Sequence, residues 1–240
     1  MEIDEIFYGV ISKHRNEKKY LESIDRVFSL FRIKREDNII DVAGGLGFPY
    51  LDLERRGFNI TYSDGSKNAV SKVSYKALIP ANCHHLFWHD LKRYFGTGKF
   101  SYVFCVGQSL PYALSWNDLV GNSAKRYLFR TLINFSKILE QGGILHVDYS
   151  PEPREDYTLF NSQDLVLLGG VEKNIRTSVI LENDRRRLKF SASDSEIEKE
   201  GFNVTRNLIV SLAKRVGLEL VLEERLQGDI FNSIFLRKNE

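Results

Sequence analysis

Asp41, Ala43, Gly45 and Gly47 stand two residues apart in the stretch Asn38 to Pro49, NIIDVAGGLGFP. An acid followed by residues without bulk places a charged hydrogen-bond acceptor beside a backbone that a ligand can approach closely. Such a corner needs space, and its carboxylate suits an ammonium group. A dinucleotide fingerprint, G-x-G-x-x-G, fits less well, because after Gly45-Leu46-Gly47 its third glycine position holds Tyr50. A glycine-rich turn without a ligand is the plain alternative. Gly45 and Gly47 are expected to refuse side chains because a ligand lies against them.

The corner needs a strand before it and a helix after it. Ile39, Ile40 and Val42 form the short β-branched run of a strand buried on both faces. Pro49 suits the first turn of a helix that carries Leu51 and Leu53 and stops at Gly57. Phe58 to Tyr62 reads as a second strand ending at Ser63-Asp64. An acid about 20 positions beyond a glycine turn falls beside a ribose, although Asp64 could equally begin the helix from Ser66 to Leu78. A third run, His84 to Trp88, leads to His89 and Asp90, where either an adenine contact or a helix cap is expected. The fourth strand, Phe100 to Val106, ends in Gly107-Gln108-Ser109-Leu110-Pro111-Tyr112, a loop whose amide and phenol suit a polar acceptor. A helix from Ser123 to Leu139 and a fifth strand, Ile144 to Asp148, complete the alternation.

The pattern then changes. Residues 149–168 read as loop with a short helix around Leu159, and Ile175 to Asn183 with Arg186 to Asp194 reads as a hairpin turning at Asn183-Asp184. Val204 to Val216 is the last helix, followed by strands from Leu218 to Leu226 and Ile230 to Leu236. Residues 1–36 are helical by their apolar period, interrupted by the charged stretch His14 to Tyr20, which reads as solvated. Tyr8, Arg15 and Tyr20 are held aside as members of a segment able to close over a ligand. Arg185-Arg186-Arg187 reads as a solvated turn, with a phosphate-bearing partner as the alternative. Cys83, His84, His85 and His89 are not spaced for a metal site, since neighbouring strand residues face opposite ways.

A length of 240 residues allows a full core with an insertion, and apolar and charged fractions of 42% and 28% are those of a soluble globular protein. A net charge of +2 argues for neither a nucleic acid nor a membrane surface. Two cysteines in expected strands, no signal-like segment and no long apolar run make a reducing, cytoplasmic setting the default.

With these residues in place the chain resembles S-adenosylmethionine-dependent methyltransferases of class I, and within them the glycine N-methyltransferase family. DVAGGLG with LERRGFNITYSDGS resembles that family's corner and second strand, CVGQSLPYAL its strand-four loop, GGILHVDYS its fifth strand, and NIRTSVILENDRRRLKF its insertion hairpin. The resemblance implies an α/β fold: a Rossmann-like seven-stranded sheet with helices on both faces, a helical N-terminal lid and a β-hairpin insertion after strand five. It divides residues 1–240 into a cap (1–36), a cofactor-binding core (37–148), a substrate-covering insertion (149–203) and a closing helix with antiparallel strands (204–240).

The implied cofactor is S-adenosyl-L-methionine, held by Tyr20, Asp41, Ala43, Gly45, Gly47, Asp64, His89, Asp90 and Val106, with no metal. The implied partner is a small-molecule acceptor, an amine, oriented by Gln108, Tyr112 and Tyr149; a homo-oligomer stays open. The chain departs from the family where Ser150 replaces an arginine that binds glycine's carboxylate, so an amine other than free glycine is expected, with Arg154 as a substitute cation. The arginine that partners Tyr20 is out of register, with Arg15 one residue away and Asn16 in its place. O-methylation of a natural product or carboxylate, adenine methylation in nucleic acid, and a non-catalytic cofactor-binding module are the alternatives.

Overall fold

The computed structural model describes residues 3–112, 124–149, 160–168, 171–182, 185–193 and 195–239. Its main sheet is built from β1 (Ile39–Asp41), β2 (Ile60–Asp64), β3 (Cys83–His85), β4 (Phe100–Cys105), β5 (Leu139–Tyr149), β10 (Leu218–Glu224) and β11 (Asn232–Lys238). Their order is β10-β11-β5-β4-β1-β2-β3. β1 pairs in parallel with both β2 and β4, whereas β11 runs antiparallel to β5 and β10. Successive strands step outward from β1 on one side and from β4 on the other. The crevice between the ends of β1 and β4 is therefore the topological switch point, where ligands bind in such sheets.

Alternation along the strands serves two layers. Ile40, Val42, Val103 and Cys105 pack with α6 (Ala124–Ile138) and α7 (Arg206–Lys214) through Leu128, Phe135 and Ile209. Ile39, Tyr102 and Phe104 face α2 (Glu17–Phe31), α3 (Tyr50–Arg55) and α4 (Lys67–Lys76) through Ile24, Phe28, Leu53 and Val73. A strand buried on both faces has no solvent side to mark with polar residues, which is why these runs read as continuously apolar. Gly57, at φ 82°, follows α3, and Ser66 caps α4 by accepting the Ala69 N–H at 3.2 Å. Cys105 is fully buried, while Cys83 is half-buried with its Sγ 3.6 Å from the Tyr50 hydroxyl.

Beyond strand five the architecture is richer than the sequence pattern indicates. β6 (Phe160–Leu168), β7 (Val171–Glu182), β8 (Arg185–Ser191) and β9 (Glu196–Phe202) form a second, wholly antiparallel sheet in that order. The expected hairpin corresponds to β7 and β8. Residues 160–168, expected as loop, are a strand because their backbone groups pair with β7 along its whole length. The helix expected around Leu159 and the turn at Asn183-Asp184 fall outside the described residues. α1 (Ile3–His14) lays Ile6 and Val10 on this sheet, against Val166, Ile175, Leu188 and Phe190. Its last residue, His14, meets Asp164 of β6 at 3.1 Å.

Candidate functional site

The turn leaving β1 is stitched by the two acids expected there. Asp41 is fully buried; its Oδ1 accepts the Ala43 N–H at 3.2 Å, while its Oδ2 has no partner among the described residues. Burial pushes its carboxyl up to about 8, helped by the nearby Asp64 charge and opposed by the Ala43 N–H. Asp64, 1% exposed, accepts the Gly45 N–H at 2.9 Å on one oxygen and the Ser66 N–H at 2.7 Å on the other. It thus joins the glycine turn to the start of α4, as the turn reading expects.

The three glycines do different work. Gly44 carries no Cβ because one would overlap the Tyr62 ring, whose hydroxyl donates to the Gly45 carbonyl at 2.6 Å. A Cβ on Gly47, at φ 103°, would stand 2.7 Å from Leu51 Cδ1 and 3.2 Å from Val73 Cγ2. Packing and backbone thus already require glycine at Gly47 in the free protein. Gly45 alone of the three opens outward: at φ 49° it has nothing within 4 Å of where a Cβ would be. Asparagine tolerates that backbone region. Gly45→Asn is therefore expected to keep the melting temperature within about 4 °C and to weaken cofactor binding about tenfold or more by filling the space beside the turn. Calorimetry with S-adenosylhomocysteine checks this, and unchanged affinity would reduce the corner to a turn.

The N-terminal segment reaches this corner. Asn16 caps α2 by accepting the Lys19 N–H at 3.1 Å, and its own N–H donates to Gly228 O at 2.8 Å in the loop between β10 and β11. The stretch His14 to Tyr20 is not uniformly solvated, since Arg15 is 9% exposed and Tyr20 fully buried. Arg15 also takes up the partnership that the sequence left out of register. Its Cζ lies 5.1 Å from the Tyr20 ring centroid and 5.5 Å from that of Phe48, and its Nε and a terminal nitrogen donate to Asp229 Oδ1 at 3.2 and 3.0 Å. Asp229 Oδ2 and Tyr20 Oη are buried with no partner among the described residues. Burial raises the Tyr20 phenol well above its ordinary value, and the charges of Asp229, Asp148 and Asp41 add to the effect. The Tyr20 ring lies 5.3 Å from that of Phe48, which leads out of the glycine turn.

On the other side of the switch point, Asp148 at the end of β5 accepts the Gly107 N–H at 2.6 Å and the Gln108 N–H at 2.9 Å. These bonds hold Gln108 at φ 60°, a left-handed conformation unusual for a residue with a Cβ. Burial and the Asp229 charge push the Asp148 carboxyl up to about 7. Val106 is 4% exposed, and its carbonyl accepts the Ser109 hydroxyl at 2.8 Å. Gln108 and Tyr112 are brought together by Arg186, which donates to Gln108 Oε1 and to Tyr112 Oη, each at 2.9 Å. The reading of Arg185-Arg186-Arg187 as a solvated turn is thus corrected at its centre, where Arg186 is 5% exposed. Tyr149 stands apart from the pair: its hydroxyl donates to Glu223 at 2.6 Å, and Arg206 holds the same carboxylate.

After β3, Trp88 donates its Nε1–H to Val42 O at 2.6 Å and anchors the segment beneath the corner. His89 stacks on Phe87 with centroids 5.6 Å apart and lies 3.4 Å from Asp90. Asp90 precedes the short α5 (Leu91–Phe95) without a side-chain cap bond, so the capping alternative does not describe its side chain. Among the described residues no group of three His, Cys, Asp or Glu side chains is placed to hold a metal ion. Asp229 is the site residue that carries no sequence signal, while Arg15 stands out in sequence only without this partner and Arg186 only as one of a charge run. Arg186 did leave a signal, for it shares the inward period of Leu188 and Phe190 on β8. Ser150 and Arg154, on which the glycine question turns, lie outside the described residues.

No protein-family model matches the chain, and no curated protein matches it. Solved structures do. The sugar N-methyltransferase KedS8 from Streptoalloteichus sp ATCC 53650 is 18% identical with a TM-score of 0.74, covering 100% of this chain and 94% of its own. DesVI of Streptomyces venezuelae is 18% identical with a TM-score of 0.69 and 100% coverage of both chains. CalS10, an amino pentose methyltransferase from Micromonospora echinaspora solved with bound S-adenosylmethionine, is 16% identical with a TM-score of 0.68, covering 97% and 96%. The likeness spans the whole chain and shows the fold.

Proposed function

We propose that this chain is an S-adenosylmethionine-dependent methyltransferase acting on a small molecule, most specifically on the amine of an amino sugar or related amine rather than on free glycine. The observation that carries the cofactor is Asp41: a buried carboxylate oxygen without a partner among the described residues, beside a glycine turn that opens outward at Gly45. A buried acid of this kind fits a ligand that brings a cation, and the α-ammonium of the cofactor is one. The Tyr20 hydroxyl, also buried and unpartnered among the described residues, supports the same placement. Asp64, at the end of the second strand, is assigned the ribose hydroxyls. Ala43 and Gly47 shape the turn, Val106 borders the opposite strand end, and the His89-Asp90 segment is assigned the adenine edge.

S-adenosylmethionine held there by the Asp41 corner would supply an activated methyl group for in-line transfer to an amine nitrogen, with the neutral thioether S-adenosylhomocysteine as the leaving group. The chain's contribution is alignment, with the reacting nitrogen held about 3–3.5 Å from the methyl carbon. Gln108 and Tyr112 are the orienting groups. Burial raises the Tyr112 phenol despite the Arg186 charge, so at neutral pH it acts as a hydrogen-bonding group and not as a base. Tyr149, raised to about 12 by burial and Glu223, is neutral as well and takes a supporting place. The amine class rests on the sequence resemblance and on the neighbours described above as sugar and amino pentose methyltransferases.

The test is incubation with methyl-labelled S-adenosylmethionine and a panel of glucosamine, galactosamine, 3-amino-3-deoxyglucose, ethanolamine, glycine and sarcosine, read by mass spectrometry. Label on the nitrogen of an amino sugar, with glycine left untouched, is the expected result. Product carrying the methyl only on oxygen would overturn the amine assignment, efficient turnover of glycine would overturn its exclusion, and no binding of S-adenosylhomocysteine would overturn the cofactor.

A further inference from the structure

β8 turns Arg186, Leu188 and Phe190 to its buried face, at 5%, 3% and 1% exposure. A guanidinium there requires hydrogen-bond partners to offset its lost hydration, and Arg186 reaches out of its own sheet for them. Its Nε donates to Tyr112 Oη and a terminal nitrogen to Gln108 Oε1, both at 2.9 Å, with its Cζ 5.4 Å from the Tyr112 ring centroid. A guanidinium only donates. Gln108 must therefore turn its carboxamide oxygen toward Arg186 and its NH2 elsewhere, and Tyr112 must direct its own O–H away. One cation settles the orientation of both side chains.

A second contact lies beside the first. Gly201 of β9 is the residue paired with Arg186 across the ladder. A Cβ on Gly201 would overlap the Pro111 carbonyl oxygen and stand 2.8 Å from Tyr112 Cδ1. The missing side chain lets the antiparallel sheet meet the backbone of the strand-four loop at the point where Arg186 meets its side chains. Asp148 grips the same loop from the main sheet through the Gly107 and Gln108 N–H groups.

We propose that Arg186 is a positioning residue for methyl transfer: seated on the antiparallel sheet beside Gly201, it sets how Gln108 and Tyr112 are presented to the acceptor. This rests on the methyltransferase reading given above. The sheet that arises after strand five thereby takes part in acceptor geometry through Arg186.

Arg186→Met, Arg186→Lys and Gly201→Ala test it in the full chain with S-adenosylhomocysteine bound. Hydrogen exchange at the Gly107, Gln108 and Tyr112 amides is expected to accelerate about tenfold in Arg186→Met and Gly201→Ala, with residues 43–47 unchanged. For the panel amine turned over fastest by the wild type, Arg186→Met is expected to lower kcat roughly 10- to 100-fold. S-adenosylhomocysteine affinity should stay within about twofold, because the cofactor corner is not touched. Arg186→Lys should recover part of kcat, since one ammonium can reach one of the two acceptors but not fork between them. Unchanged exchange in 106–112, equal acceleration in 43–47, or wild-type kcat and KM in Arg186→Met would each overturn the proposal. A wild type that fails to bind S-adenosylhomocysteine would overturn the methyltransferase reading instead, and the exchange data would still decide whether Arg186 holds the loop.

Discussion

Binding of S-adenosylmethionine at pH 7 is expected to release most of one proton, and Asp41→Asn to abolish that release together with the affinity. The carboxyl of Asp41 is held at about 8 by burial, so at neutral pH it is largely protonated before the ligand arrives. An ammonium placed against its unpartnered oxygen favours the ionised form, and the displaced proton goes to buffer. The sign follows: the ligand binds the deprotonated state, so affinity rises about tenfold from pH 6 to pH 7 and flattens as pH passes about 8. Asparagine is close in shape to the neutral acid, and the melting temperature of the free protein should barely move. It cannot pair with the ammonium, however, and breaking a buried charge pair costs about 3–5 kcal/mol. That corresponds to roughly two to three and a half powers of ten in affinity. Calorimetry in buffers of different ionisation enthalpy measures both quantities. Proton release that persists in Asp41→Asn, or affinity within tenfold of wild type, would place the ammonium elsewhere.

Loss of Arg15 is expected to be the most destabilising single change at the site. The Arg15 and Asp229 side chains are 5% and 1% exposed, and both guanidinium bonds fall on Asp229 Oδ1. Burial works against the Arg15 charge, but Asp229, Tyr20 and Asp148 together outweigh it and keep the guanidinium pKa above its ordinary value. Arg15→Met strands a buried carboxylate, a change that costs about 3–5 kcal/mol. It also removes the cation from the faces of Tyr20 and Phe48, a further loss of about 1 kcal/mol. Arg15→Met with Asp229→Leu should be more stable than Arg15→Met alone, because the stranded charge is gone, and the aromatic contact would remain lost. Urea denaturation of Arg15→Met, Asp229→Leu and the double variant measures this. A cost below about 1 kcal/mol for Arg15→Met, or a double variant as unstable as the sum of the singles, would mean that the pair is not a buried unit.

Part of this protein was legible in its residue order. Continuous apolar runs, the glycine turn and the acids at strand ends depend on neighbours in the chain: the φ values at Gly45 and Gly47 and the continuous burial of β1 and β4 are local consequences of residue type. From them followed the alternating sheet, the corner at Asp41 and the stitching acid at Asp64. Only the tertiary structure decided which polar groups meet. Arg15 finds Asp229 across 214 positions, and Arg186 finds Gln108 across 78. Charge runs look alike whether they face water or a neighbour, so HRNEKKY and RRR read as solvated, whereas packing buries Arg15 and Tyr20 in the first and Arg186 in the second. The strands β6 and β9 were missed for the same reason, because a ladder is specified jointly by both partners. Val166 stands between Leu165 and Leu167 in a stretch that reads as loop, yet it is 2% exposed once α1 and β7 close upon it. Local chemistry determined where a ligand could be received; long-range burial, which makes an unpaired charge costly and so selects its partner, decided what surrounds it.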